Sequence, residues 1–376
     1  MWMGFDRDTG SSGANRTAKG FEGKKGMRIY VTRACGIGDA VQMTPFLKSL
    51  RQAFPRADIT VGISSYALPI LENLDSGLKL EKLPKSVLSK SLFEQMIGWS
   101  LVALRIFNRY DMAFFFVTPY RNTLPFKFSR IKRRVGILTL SWKPIIPYTE
   151  VVRIPNHAGE MASHISDVFL EALRLIKRGV VTDRNYSYRM WDEELQWSCR
   201  VLPRTNSRMI GLCPETGNPG SVFPTKTYPL EHWIDLSRLL ANEGYFIYVF
   251  AGRRLSQFEC MKGVTNFSGS FQIRDTLALM SRMDLVVSAD SGLLHAAVAM
   301  GKKVVELFGP TDPKIYGTLS QASSVLRQEY PCIPCYKPRC LIPEIQGLSV
   351  ARRPFCMYNI LPQQILKEVE RMLRIA

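Results

Sequence analysis

Polar and apolar positions along this chain fall into two rhythms, short β-branched runs and longer stretches of helical spacing, which predict strand and helix in alternation from residue 27 onward. Met27 to Arg33 reads as a strand, Ala34 to Asp39 as a glycine-bearing turn, and Val41 to Phe54 as a helix that stops before Pro55. Asp58 to Ser64 is a second β-branched run, so the chain opens as a β-α-β unit. Leu88 to Asn108 predicts a helix with Phe93, Ile97, Leu101, Leu104 and Phe107 on one side, and Tyr110 to Val117 the strand that follows. Asn156 to Gly179 is helical through His164 and Phe169. The polar, irregular Val180 to Asn206 reads as an interdomain linker, with the boundary near residue 200.

The pattern then restarts. Met209 to Cys213 is a strand, and a loop carries Thr225, Lys226 and Thr227. Leu230 to Glu243 is a helix stopped by Gly244, and Tyr245 to Ala251 is another strand. Phe271 to Met283 predicts an amphipathic helix leading into residues 284–313, DLVVSADSGLLHAAVAMGKKVVELFGPTDP. That stretch reads as strand, polar turn at Asp290-Ser291-Gly292, helix to Met300, glycine stop, strand from Val304 to Phe308, and a loop from Gly309 to Pro313. Two polar loops thus converge at the carboxyl ends of adjacent strands, where parallel sheets bind ligands. A hydroxyl beside free amides at a helix start suits a phosphate.

Composition narrows the partners. The 376 residues suffice for two domains with separate cores, and a formal net charge of +18 favours nucleic acid, anionic lipid or phosphorylated small molecules. No RNP-type aromatic strand or Cys2His2 finger is present, so nucleic acid is not expected. Residues 1–26 lack the apolar core of a signal peptide and are rich in Gly, Ser and charge; they read as a disordered leader on a cytoplasmic protein with reduced thiols. The uncharged run Gln95 to Leu104 is too short to span a bilayer.

Several residues carry two readings. Asp39 either caps the first helix or stands as a general base at a strand's carboxyl end. Lys226 is either an exposed loop lysine or a point charge for a pyrophosphate. The Asp290 turn and His295 are either capping and packing groups or ligand contacts. The basic cluster Lys127, Arg130, Lys132, Arg133 and Arg134 is a solvated face, or a surface for an acidic acceptor or an anionic membrane. Gly36-x-Gly38 lacks the third glycine of a dinucleotide fingerprint, and no Asp-x-Asp motif appears for a divalent ion. Cys332, Cys335, Cys340 and Cys356, spaced C-x2-C-x4-C-x15-C, are free thiols, form an adventitious disulfide, or hold a structural zinc or iron.

The 284–313 stretch resembles the nucleotide-sugar motif of the family 9 glycosyltransferases, the ADP-heptose:lipopolysaccharide heptosyltransferases, in which Asp-Ser/Thr-Gly-x-x-His precedes Phe-Gly-Pro-Thr-Asp-Pro. The likeness extends from residue 27 to 375, with the Gly-Asp turn at Asp39 and a Lys-x-Trp-Pro-like segment in which Tyr228 replaces Trp. It implies an α/β GT-B fold, two Rossmann-like domains facing across a cleft. Residues 27–200 would bind acceptor and 201–360 the nucleotide sugar, with the Cys-rich segment 332–356 inside the latter; residues 361–376 would form a helix packing back across the domains.

The same resemblance implies inverting transfer from ADP-heptose to the acidic inner core of lipopolysaccharide. Asp39 would be the base and Lys226 the neutraliser of the leaving diphosphate. Thr225, Thr227, Asp290, Ser291, Gly292 and His295 would hold the donor and Arg121 the acceptor. Catalysis would need no cofactor, and the enzyme would touch the cytoplasmic face of an anionic membrane peripherally. Two rival expectations keep the fold: a protein O-heptosyltransferase of the autotransporter type, a group with a cysteine-bound metal, and a non-catalytic nucleotide-sugar or membrane-surface binder.

Overall fold

The computed structural model describes residues 26–75, 77–117, 120–139, 147–155, 163–216, 224–340 and 354–374. The first half of the chain forms strands β1 (Arg28–Arg33), β2 (Asp58–Ile63), β3 (Leu78–Lys82), β4 (Met112–Phe115), β5 (Arg133–Thr139) and β6 (Glu150–Ile154). All pair in parallel in the order β3-β2-β1-β4-β5-β6. The second half repeats the plan with β7 (Met209–Cys213), β8 (Phe246–Val249), β9 (Val264–Asn266), β10 (Leu285–Ala289), β11 (Lys303–Phe308) and β12 (Ser323–Arg327), in the order β12-β11-β10-β7-β8-β9. Each is the Rossmann strand order, and each sheet reverses direction of growth between its first and fourth strands. The expected pair of Rossmann-like units is therefore what the chain builds.

Helices cover both faces of both sheets. On the facing sides lie α1 (Ile37–Gln42), α2 (Thr44–Ala53) and, later in the chain, α4 (Ile165–Ile176), α7 (Ile273–Met280) and α8 (Gly292–Ala299). Their apolar residues join those of both sheets in one continuous core that includes Phe46, Phe169, Leu277 and Leu294. The outer face of the first sheet is covered by α3 (Leu92–Arg105) and a 3-10 stretch, Tyr120–Phe128, through Trp99, Val102 and Phe126. The outer face of the second is covered by α6 (Leu230–Asn242), α10 (Phe355–Tyr358) and α11 (Pro362–Arg374), and the short α9 (Pro313–Tyr316) follows β11.

Three expectations change. The single helix expected over Val41 to Phe54 is two, α1 and α2, broken at Met43: Pro45 in the first turn of α2 has no N–H to continue the ladder of α1. The linker region contains α5 (Asp192–Val201), whose first turn carries Asp192, Glu193 and Glu194 at its positive end. The terminal helix does not reach back over the first half among the described residues. Ile365, Val369 and Met372 of α11 instead enter the outer core of the second half, and α11 packs on α6.

Two contacts fix the halves against each other. Gly38 of α1 meets Gly292 of α8 so closely that a Cβ on Gly292 would lie 2.8 Å from the Ile37 Cβ and 3.0 Å from the Gly38 nitrogen. The other contact is Arg274 of α7. Its guanidinium pairs with both oxygens of Glu194, donates to the Pro69 carbonyl at 2.7 Å and lies over the Tyr188 and Trp191 rings. The pair is largely enclosed, with side chains 12% and 15% exposed.

Removing one member of an enclosed pair leaves the other charge without compensation. We expect Arg274→Met to lower stability by about 3 kcal/mol in denaturant unfolding; an unchanged midpoint would show the pair to be dispensable. We expect Gly292→Ala to cost ~1–3 kcal/mol by overpacking the seam, measured the same way, and wild-type stability would mean the halves part freely.

Candidate active site

The turns that follow β1 and β10, the two strands where the sheets switch direction, face each other across a cavity of about 730 Å³. Gly36 to Asp39 and Gln42 line it from the first half. Glu215, Lys226, Asp290 to Leu293, Thr311 and Tyr316 line it from the second. Its volume falls in the ~300–1,000 Å³ range of small-molecule sites.

Asp39 sits in the first turn of α1, and the strand before it supplies its partner. The Arg33 guanidinium at the end of β1 donates to Asp39 Oδ1, and the Gly36 N–H donates to Oδ2 at 3.3 Å. Burial, the largest single influence, pushes this carboxyl up, but the Arg33 charge and hydrogen bond together with the Gly36 amide outweigh it and hold the carboxyl below the usual aspartate range. Asp39 is thus both the helix-start residue and an ionised carboxylate, and its side chain keeps 38% of its surface open.

Opposite lies a second charged pair. Lys226, at the end of the 3-10 turn Pro224–Lys226, places Nζ 3.0 Å from Asp290 Oδ2, which also accepts from the Thr311 hydroxyl at 2.9 Å. Ser291 caps α8, its Oγ accepting from the Leu294 N–H at 3.4 Å and lying 2.9 Å from Ser288 Oγ. A lysine, a capping hydroxyl and the positive end of α8 therefore share one wall of the cavity, the chemistry that receives a phosphate.

His295 lies one turn into α8 and is almost wholly buried. Its Nε2 is 3.3 Å from Gln42 Nε2, so the neutral ring accepts there from the amide, and its face meets the edge of Tyr186. Burial pushes the imidazole down to about 4, against the opposing pull of Asp290 and Asp39. A neutral ring wedged between the halves supports the seam beside Gly38.

The remaining sequence candidates fare differently. Thr225 donates to the Lys337 carbonyl at 2.6 Å and Thr227 lies 2.8 Å from the Thr216 hydroxyl; neither lines the cavity. Arg121 falls in the 3-10 stretch, and its side chain lies outside the described residues. Of the basic cluster, Arg133 pairs with Glu150 and Arg134 donates to the Pro147 and Ile131 carbonyls, so these two serve the fold.

The four cysteines are free. Burial first, then Cys335, Cys340 and Cys332, push the Cys356 thiol up to about 12. Among the described residues, however, no group of three or more His, Cys, Asp or Glu side chains is arranged to hold a metal ion. The metal reading of these cysteines thus finds no ligand set here.

Sequence reading passed over Arg33, Glu215 and Thr311 as site residues. Glu215 holds the 252–253 turn at the cavity wall by accepting from the Gly252 N–H at 2.7 Å and the Arg253 N–H at 3.3 Å. Arg33 and Thr311 lie inside the quoted motifs, but only pairing across the fold shows what each is for.

The sequence pattern that defines glycosyltransferase family 9 (heptosyltransferase) matches residues 174–346, the stretch that contains Lys226, Asp290 and the α8 turn. That match spans 173 of the 376 residues, and the likeness to family 9 lies mainly in the second half of the chain. Lipopolysaccharide heptosyltransferase 2 of Escherichia coli is 24% identical over 370 residues, covering 92% of this chain and 99% of that protein. The solved Escherichia coli ADP-heptose lps heptosyltransferase II superposes with a TM-score of 0.66 at 20% identity, over 92% of this chain and 98% of that one. A glycosyl transferase family 9 structure from Veillonella parvula gives 0.70 at 23% identity, over 93% and 98%. The fold is GT-B.

The Arg33 contact has a testable consequence for a transferase. A carboxylate held below its usual range stays ionised until the pH falls beneath that range; without Arg33, burial acts with less opposition and raises it. We expect Arg33→Gln to move the acid limb of the pH profile of kcat/KM to higher pH, and an unmoved limb would mean that Asp39 does not set it.

Proposed function

We propose that this glycosyltransferase transfers heptose from ADP-heptose to the inner core of lipopolysaccharide with inversion at the anomeric carbon. The observation that carries the reading is the arrangement across one cavity of an ionised Asp39 on one wall and Lys226, Asp290 and the α8 N-terminus on the other. The names of the Escherichia coli relatives, which specify ADP-heptose and lipopolysaccharide, supply the donor and the acceptor class.

In this mechanism the donor diphosphate lies against Lys226 and the amides that open α8, while Asp290 orients the sugar hydroxyls. The acceptor hydroxyl attacks the anomeric carbon from the side of Asp39. Its C–O bond forms as the bond from that carbon to the diphosphate oxygen breaks, and the hydroxyl proton passes to Asp39. A carboxylate with a lowered pKa is a weak base, so it takes the proton late, when bonding to carbon has made the hydroxyl acidic. The departing diphosphate carries the electron pair away toward Lys226 and the helix dipole, which stabilise the negative charge as it develops. Cys35 has no part in this. Burial and the neighbouring Asp39 push its thiol up, and it stays neutral.

Residues 27–200 are assigned the acceptor and 201–360 the donor, with Arg121 an acceptor contact. The membrane that carries the lipid-linked acceptor is the surface on which the enzyme works.

The test is mass spectrometry of a deacylated inner-core oligosaccharide incubated with ADP-heptose. We expect the wild type to add one heptose and Asp39→Asn to lose about 10²–10⁴-fold in kcat while still binding ADP. Transfer by the variant at the wild-type rate would reduce Asp39 to a helix-start residue. Transfer to a protein but not to the oligosaccharide would overturn the acceptor assignment.

A further inference from the structure

Helix α3 is apolar on both sides. Its inner side buries Gly98 against Ser86 and Val87, and Trp99, Val102 and Ala103 in one core with Tyr30 and Phe115 of the first sheet. Its outer side leaves Phe93 73% and Leu104 70% exposed, with Met96, Ile97 and Leu101 exposed between them. These recur at intervals of three and four residues and form one stripe along the helix. Within Leu92–Arg105 the charged residues are Glu94 and Arg105, and Arg105 is already paired with Glu81. Phe128, at the end of the 3-10 stretch that packs beside α3, adds another ring at 70% exposure. A helix that is apolar all round belongs either in a core or in lipid. In the second half the outer helix α6 packs against α11, but no described element covers the stripe on α3.

The surroundings of the stripe are basic. Residues 82–132 contain nine Lys or Arg against two acidic residues, Glu94 and Asp111, and Asp111 pairs with Arg28. Lys85, Lys90, Arg109, Lys127 and Lys132 are exposed, and the Arg130 guanidinium sits 5.4 Å above the Phe107 ring at the stripe's end. An apolar band edged with cations suits the boundary between anionic headgroups and acyl chains. It does not suit a second copy of the chain, because a two-fold contact through this face would press two basic rims together. No helix among the described residues is long and apolar enough to cross a membrane, so α3, at 14 residues, would lie along the surface.

We propose that the outer face of α3, with Phe128, docks this protein on an anionic bilayer, its apolar stripe entering the headgroup boundary and the flanking lysines and arginines meeting lipid phosphates. The purpose of the docking, bringing the site to a lipid-borne acceptor, rests on the functional reading above; the surface itself does not.

Vesicle flotation tests it, with equal parts phosphatidylethanolamine and phosphatidylglycerol set against pure phosphatidylcholine. We expect the wild type to float with the anionic vesicles and about tenfold less with the zwitterionic ones. The triple variant Phe93→Gln, Leu101→Gln, Leu104→Gln should lose about tenfold of that binding while transferring heptose to the soluble oligosaccharide at the wild-type rate. The double variant Lys85→Glu, Lys90→Glu should weaken binding and flatten its salt dependence. Equal flotation of wild type and triple variant overturns the proposal, as does equal binding to both vesicle types. A wild-type dimer in sedimentation that the triple variant dissolves would assign the stripe to a second copy instead. If the wild type floats as expected yet transfers nothing to the oligosaccharide, the functional reading fails and the docking surface stands.

Discussion

The close approach of Gly38 and Gly292 is the constraint on which the site depends. Two helices start where their sheets switch direction, and only the absence of side chains at both glycines lets those starts come within van der Waals contact. The approach sets Asp39 on one wall and Asp290 with Lys226 on the other, inside one cavity. A separation wider by a few ångströms would leave two half-sites, each with its own ionic pair. Arg274 holds the same geometry farther along the seam, with Glu194 and the Pro69 carbonyl at once. The two halves are thus joined by a continuous apolar core, by glycine contact at the chemistry and by an enclosed guanidinium behind it.

The two ionic pairs have different electrostatic tasks. Arg33 keeps Asp39 charged against the burial that would neutralise it. Lys226 and Asp290, with Thr311, form a pair on a wall that already carries the positive end of α8. A bound diphosphate would add negative charge to that wall, and the lysine would then be shared between Asp290 and the phosphates. His295, kept neutral by burial, contributes shape rather than charge.

The fold also divides its surfaces between chemistry and support. Facing helices close the cleft, and the outer helices of the second half stack into a covered layer. The single long outer helix of the first half is left with an apolar side in contact with nothing described. That asymmetry places the unmatched apolar surface on the half assigned to the acceptor.

The doubly wound plan was legible from the alternation of β-branched runs and helical stretches, because each period is local to its own segment. So was the chemistry-bearing content of the Gly36 to Asp39 turn and of residues 284–313, where Gly, Asp and Ser mark strand-to-helix junctions by their own conformational preferences. Local pattern misjudged the linker, where α5 is held by its acidic first turn and by packing on α7, and the helix after β1, which Pro45 divides. It could not tell that Thr225 and Thr227 would turn away to the Lys337 carbonyl and the Thr216 hydroxyl, or that α11 would stay with the second half. Which side of α3 is core was likewise undetermined, since both sides are apolar. The sequence by itself determined the elements and the residues at their junctions, through propensity and periodicity. Tertiary structure alone decided which junctions meet, which charges pair and which apolar face remains in the open, because each of these depends on contacts between residues up to some 250 positions apart, as Gln42 and His295 are.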